Sequence, residues 1–155
     1  MLVYRLVRRP YVSQLDGRRA ALFGGRWNSV GLAVIYTAQH RSLAVLEYRV
    51  NNPNPVSDLM MVSVEVPEES LKKITFEDLP ENWRQYSFES SCAYLGDQWL
   101  KSQETLMLQV PSAVVPQEHS ILINPTHPMM SQVKIQDVLP FMVDTRMYQS
   151  DDTEM

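Results

Sequence analysis

The sequence predicts an α+β fold, a single compact domain with mixed or antiparallel sheets and a few helices. Three observations lead there. Six short β-rich runs are each bounded by proline, glycine or polar residues. Only two segments carry apolar residues at helical spacing. The length of 155 residues suits one domain and is short for two.

The first strand is expected at Val3–Val7, where Tyr4 and Arg5 interrupt an apolar run. Gly24 and Gly25 lie in the glycine-rich N-terminal third, and Ala33–Thr37 (AVIYT) reads as a second strand after them. Ser42–Val50 reads as a helix with Ser42 as N-cap and Leu43, Leu46 and Val50 as its stripe. Met60–Val66 alternates, with Val62, Val64 and Val66 on one face and Ser63 and Glu65 on the other, and Pro67 ends it. A second helix is expected over Glu89–Lys101, with Cys92, Leu95 and Trp99 as its stripe and Phe88 one turn earlier. Leu106–Val110, Ile121–Ile123 and Val133–Val138 complete the strands. The domain is expected to span 1–148, with 149–155 a frayed polar, acidic tail.

Composition narrows the function classes. Apolar residues make up 45% and charged residues 21%, enough for a real core and unlike a disordered chain. A net charge of −4 without a basic block argues against direct nucleic-acid binding. One cysteine excludes an internal disulfide framework and a multi-cysteine zinc site. No apolar run approaches the roughly 18 residues of a membrane span, and Met1–Tyr11 lacks a signal-peptide pattern. The expectation is a cytoplasmic chain without a membrane association.

The densest chemistry lies in Phe23–Tyr36, FGGRWNSVGLAVIY. Arg26, Trp27 and Asn28 offer a cation, a flat ring and an amide after a glycine pair that permits close approach. A plain hairpin turn with a surface arginine and a core tryptophan explains the same residues. The segment has neither a dinucleotide fingerprint nor a Walker lysine. Glu47 sits on or beside an apolar helix stripe, as a carboxylate paired with Arg49, Arg41 or another cation at the stripe's edge, or as an active-site acid. Tyr36 ends an apolar run, and Arg5 lies within a strand, facing solvent or a buried anion. Ser112 between Pro111 and Ala113 caps a turn or presents its hydroxyl to a ligand. A Ser112/His127 triad has no G-x-S-x-G elbow, and the three histidines lack metal-ligand spacing, so metal ligands are assigned to none.

Taken in order, YRLV with Arg5, GGRWNSVGLAVIYTA, SLAVLE with Glu47, LMLQVPSAVVPQEHSILINPTHP with Ser112, and VKIQDVLPFMVDTRMY resemble RES-domain proteins, the toxins of bacterial type II toxin–antitoxin pairs of the RES–Xre type. The resemblance covers some 145 residues and rests on the order and spacing of motifs that are weak singly. It implies an ADP-ribosyltransferase-like fold and an enzyme whose substrate is NAD, with no cofactor beside it. The reaction it implies is cleavage of the nicotinamide–ribose bond, depleting NAD by hydrolysis or phosphorolysis. Transfer of ADP-ribose to a specific protein is the alternative, and a non-catalytic nucleotide- or partner-binding module is a third reading. The implied partner is an antitoxin with an Xre/Cro-like helix-turn-helix domain, in a toxin–antitoxin hetero-oligomer.

On that resemblance, Glu47 stabilises the positive charge that grows on the ribose, Arg26 and then Arg5 hold the phosphates, and Tyr36 stacks on nicotinamide. Arg26, Tyr36 and Glu47 are thus the catalytic candidates. Arg5, Arg26, Asn28, Tyr36 and Ser112 are the NAD-binding candidates. No metal is called for, because the nicotinamide ring carries its own positive charge. Trp27, Asn124 and His127 fit turn-forming roles as well as ligand contact.

Overall fold

The structure, a computed structural model, describes residues 1–85 and 90–149. Phe88 and Glu89 of the expected second helix, and the tail beyond Gln149, lie outside the described residues. The chain runs β1 (Leu2–Arg8), α1 (Arg18–Phe23), β2 (Ile35–Ala38), α2 (Arg41–Asn51), β3 (Leu59–Glu65), β4 (Leu71–Lys73), α3 (Ser90–Ser102), β5 (Met107–Pro111), β6 (His119–Ile123) and β7 (Lys134–Phe141). All seven strands join one sheet in the order β4-β5-β6-β2-β1-β3-β7. The β4–β5 pair is parallel and every other pair antiparallel, so the sheet is mixed and the fold α+β.

Alternation along the strands sends two sets of side chains to opposite faces. On one face, Leu6 and Met61 pack beneath α2 against Leu43 and Ala44. On the same face, Leu108, Val110 and Leu122 pack beneath α3 against Trp27, Cys92 and Trp99. The other face carries Val62, Val64, Ile121 and Ile123, closed by Leu15, Met129 and Met130 from irregular segments. Because both faces are covered, Ser63 is buried even though it points away from the valines.

The sheet has one weak seam. β1 and β2 are in register only at Tyr4 and Ala38. β1 otherwise pairs along its whole length with β3, and β2 along its whole length with β6. Arg5–Arg8 and Ile35–Thr37 therefore border a divergence between two half-sheets, and residues 9–34 run between them. Arg5 and Tyr36 stand on its two borders.

Several expectations need correction. Ser42 is not the N-cap of α2; the helix starts at Arg41, His40 holds the cap position, and no side chain caps it. Val50 is exposed, and the buried residues of α2 are Leu43 and Ala44, because the helix lies over β1 and β2 on that flank. β2 starts at Ile35 rather than Ala33. The six-residue α1 and three-residue β4 carry too few residues for a periodic signal. Among the described residues no helix is long and apolar enough to cross a membrane.

Leu43 is fully buried between α2 and the sheet. Leu43→Ala is expected to lower the unfolding free energy by about 2–5 kcal/mol, measured by urea denaturation.

Candidate functional site

Gly25 and Asn28 close a four-residue turn. The Gly25 N–H donates to the Asn28 carbonyl at 3.0 Å, and the Asn28 N–H donates to the Gly25 carbonyl at 3.4 Å. Gly24 before it has φ +71°, which favours glycine. Arg26 and Trp27 occupy the two corners and part company: Trp27 enters the core and Arg26 stays half-exposed. A Cβ on Gly25 would lie 2.7 Å from the Tyr36 hydroxyl and 2.9 Å from Asn28 Oδ1. Glycine is needed there so that those two groups can meet.

They meet at 2.6 Å, the Tyr36 hydroxyl donating to Asn28 Oδ1. The same hydroxyl accepts the Trp27 N–H at 3.1 Å. Asn28 is held in turn, its Nδ2 donating to the Ala20 carbonyl at 2.9 Å and the Leu32 carbonyl at 3.0 Å. Asn28 is only 2% exposed, so its amide is committed to the fold and its part is to position Tyr36.

Burial pushes the Tyr36 phenol well above the usual tyrosine range. The Trp27 N–H and the charge of Arg26 oppose that rise, while Asp97 and Glu47 add to it. Tyr36 is therefore a neutral donor at physiological pH, not a base.

Glu47 projects from α2 to the end of β5. Ser112 follows Pro111 and is 1% exposed. Its hydroxyl accepts the N–H groups of Val114 at 3.0 Å and Val115 at 3.1 Å and donates to Glu47 Oε1 at 2.7 Å. A hydroxyl with both acceptor sites occupied has one proton to give, so the Pro111–Val115 turn aims it at the carboxylate. Among the described residues Glu47 has no ion pair. Arg41 lies over the Tyr4 ring, and Arg49 over the Tyr148 ring. The pairing with Arg41 or Arg49 that the sequence allowed is not made.

Arg26 Nη1 donates to the Trp83 carbonyl at 2.6 Å and the Gln85 carbonyl at 3.3 Å, which bends the guanidinium toward the start of α3. Cys92 is buried beside it with Sγ 3.8 Å from the same Trp83 carbonyl. Burial raises the Cys92 thiol, and Arg26 partly offsets that. This is a packing cysteine, without the lowered pKa of a nucleophile.

Arg5 makes no bond to this group. Its Nη1 donates to the Gln14 carbonyl at 3.0 Å, and its Nε is buried without a partner. Burial lowers its pKa and Asp16 partly restores it. Asn124 and His127 build turns: Asn124 Oδ1 accepts the Thr126 N–H at 3.1 Å, and His127 Nδ1 accepts the Met129 N–H at 3.0 Å. Ser112 and His127 form no triad, since each bonds elsewhere. Among the described residues no cluster of three or more His, Cys, Asp or Glu could hold a metal ion. A groove between β4 and α3, lined by Lys73, Asp78, Gln98 and Glu104, shares no residue with the site.

Sequence reasoning missed Gly96 and Asp97 on α3, which touch the Gly25–Asn28 turn and its neighbour Ser29. A glycine inside a helical pattern, where two backbones often approach closely, was the available signal.

Residues 2–148 match the RES domain family. A "Prs ADP-ribosylating toxin" of Sphingobium sp. (strain YBL2) is 38% identical over 138 residues, 86% of each chain. A "Toxin Res" of Yersinia enterocolitica serotype O:8 is 36% identical, covering 82% of this chain and 86% of its own. One of Photorhabdus laumondii is 33% identical, covering 95% and 97%. Among solved structures, a chain of the M. tuberculosis MbcT–MbcA toxin–antitoxin complex superposes with a TM-score of 0.75 at 16% identity, covering 90% of this chain and 83% of its own. That likeness shows a shared fold.

Asn28→Ala leaves the Tyr36 hydroxyl without its acceptor. The expected loss is about 1–3 kcal/mol in unfolding free energy, read by chemical denaturation, and a smaller loss in a Tyr36→Phe background.

Proposed function

The chain belongs to the RES domain family, and we propose that it is the toxin of a toxin–antitoxin pair that cleaves the nicotinamide–ribose bond of NAD. The observation that carries this reading is the Ser112–Glu47 hydrogen bond of 2.7 Å, and Arg26 and Glu47 both act electrostatically on the Tyr36 phenol. Glu47 is an oriented carboxylate that makes no ion pair among the described residues.

The chemistry follows from that arrangement. The bond from ribose to the pyridinium nitrogen breaks, its electron pair goes to the ring, and nicotinamide leaves neutral. Positive charge grows on the ribose as it leaves. Glu47 stabilises that charge more than it stabilises the ground state, so it lowers the barrier rather than merely binding substrate. Ser112 holds the carboxylate in one orientation. Tyr36, fixed by Asn28 and Trp27, offers its ring face to nicotinamide. Arg26 takes a phosphate or the adjoining ribose. Arg5 is the second cation; it lies on the Val62 face of the sheet, opposite Tyr36, with Nη1 on the Gln14 carbonyl and Nε without a partner among the described residues. Water or phosphate then attacks the ribose, and the proton it sheds passes to Glu47 or solvent.

Transfer of ADP-ribose to a protein is the second reading, favoured by the name of the Sphingobium relative. The partner we propose is an antitoxin with an Xre/Cro-like helix-turn-helix domain, forming a hetero-oligomer in the cytoplasm. The toxin–antitoxin complex that shares the fold supports a partner of that class. The proposed domain is 1–148, in line with the family match.

The test is nicotinamide release from NAD by the isolated chain, with and without phosphate, resolved by chromatography. Free ADP-ribose in either buffer identifies hydrolysis, and a phosphorylated product formed only with phosphate identifies phosphorolysis. A labelled protein band from lysate and labelled NAD identifies protein transfer. Glu47→Gln and Arg26→Ala are each expected to lower the rate about 10²–10³-fold with folding intact. Full activity in both removes them from the mechanism.

A further inference from the structure

We propose that Asp97 is a positioning residue for Tyr36: the Gly96–Asp97 step of α3 clamps the Gly25–Ser29 turn, and the turn in turn fixes the Tyr36 hydroxyl. Two contacts make the clamp. A Cβ on Gly96 would lie 1.7 Å from the Trp27 carbonyl oxygen, so α3 rests directly on the backbone of the turn. One residue on, Asp97 takes hold of Ser29 with both carboxylate oxygens. Oδ1 accepts the Ser29 N–H at 2.8 Å, and Oδ2 accepts the Ser29 hydroxyl at 2.5 Å.

The path to Tyr36 is short and made of stated bonds. Trp27, whose carbonyl meets Gly96, gives its N–H to the Tyr36 hydroxyl. Asn28, next to Ser29, accepts that hydroxyl's proton. The two groups that orient the phenol are therefore the two residues immediately before Ser29. Asp97 lies 68 residues away in sequence from Ser29, so the clamp ties α3 to a turn it does not adjoin in the chain. Two charge-assisted bonds to one residue fix rotation as well as distance, as a single bond does not. The charge of Asp97 also helps to keep the Tyr36 phenol protonated.

The role rests on the NAD-cleaving reading for its effect on rate, but the effect on Tyr36 stands without it. Asp97→Ala removes both bonds. Asp97→Asn keeps Oδ1 as acceptor for the Ser29 N–H, and its Nδ2 can donate to the Ser29 oxygen, so the uncharged amide preserves the clamp. With fluorotyrosine incorporated in the full chain, the Tyr36 fluorine resonance, assigned by its loss in Tyr36→Phe, is expected to move in Asp97→Ala and to stay near its wild-type position in Asp97→Asn.

In nicotinamide release, Asp97→Ala is expected to lower kcat by up to about 10²-fold, the scale of an ångström-sized misplacement, and Asp97→Asn to restore most of it. In a Tyr36→Phe background Asp97→Ala is expected to add little further loss. An unmoved Tyr36 resonance in folded Asp97→Ala overturns the proposal, as does a resonance that moves equally in both variants. Absence of nicotinamide release from the wild type, with the resonance behaving as expected, instead overturns the functional reading and leaves the positioning intact.

Discussion

The hydrogen bond from the Tyr36 hydroxyl to Asn28 Oδ1 joins two parts of the chain that the sheet alone would leave apart. Tyr36 belongs to β2, beside the seam where β1 and β2 separate after one registered pair. Asn28 belongs to the irregular segment that runs along that seam. That bond works together with the Asn28 amide on the Ala20 and Leu32 carbonyls and Ser29 on Asp97 to hold the segment against the sheet. With these bonds, the turn sits against β2, Trp27 enters the core beneath α3, and Arg26 comes within electrostatic reach of the Tyr36 phenol. A neutral phenol suits this task. Its burial keeps it protonated, so it keeps donating.

The same logic places Glu47. A half-buried carboxylate on a helix is normally neutralised by an arginine, and two were within reach in sequence. Each is occupied elsewhere: Arg41 stacks on Tyr4, and Arg49 stacks on Tyr148 while donating to the Met147 carbonyl at 2.7 Å. Ser112 gives Glu47 direction without cancelling its charge. A carboxylate oriented in this way, with no ion pair among the described residues, is what the proposed cleavage of the nicotinamide–ribose bond asks of Glu47.

The sequence was legible where one interaction dominates. The alternating valines of β3 and the Cys92–Trp99 stripe of α3 are set by burial, and both are found as read. The Gly24–Gly25 pair announced a tight turn, and the plain hairpin-turn reading matches what is found: Trp27 is core, and Arg26 stays half-exposed. Elsewhere competing terms hid the outcome. The cap of α2 could not be assigned from Ser42, because the register of the helix is fixed by Leu43 and Ala44 against the sheet. Asn28 looked like a ligand contact, since nothing local shows that Ala20 and Leu32 would claim its amide. Asp97 and Ser29 are 68 positions apart, and no periodicity links them. Short elements such as α1 and β4 are made by their neighbours rather than by their own sequence.

The bonds that assemble the site are long in sequence: Ser112 to Glu47 spans 65 positions and Ser29 to Asp97 spans 68. Neither can form on a ribosome until its later member has emerged. At about 5–20 residues per second, several seconds separate the synthesis of Glu47 from that of Ser112. Arg26, Tyr36 and Glu47 are all made early, but throughout that interval the carboxylate has no hydroxyl to orient it, and until α3 is made late in it the turn has no helix to rest on. Completion of the site is thus a late event in the life of the nascent chain, timed by the distance between the two halves of each bond.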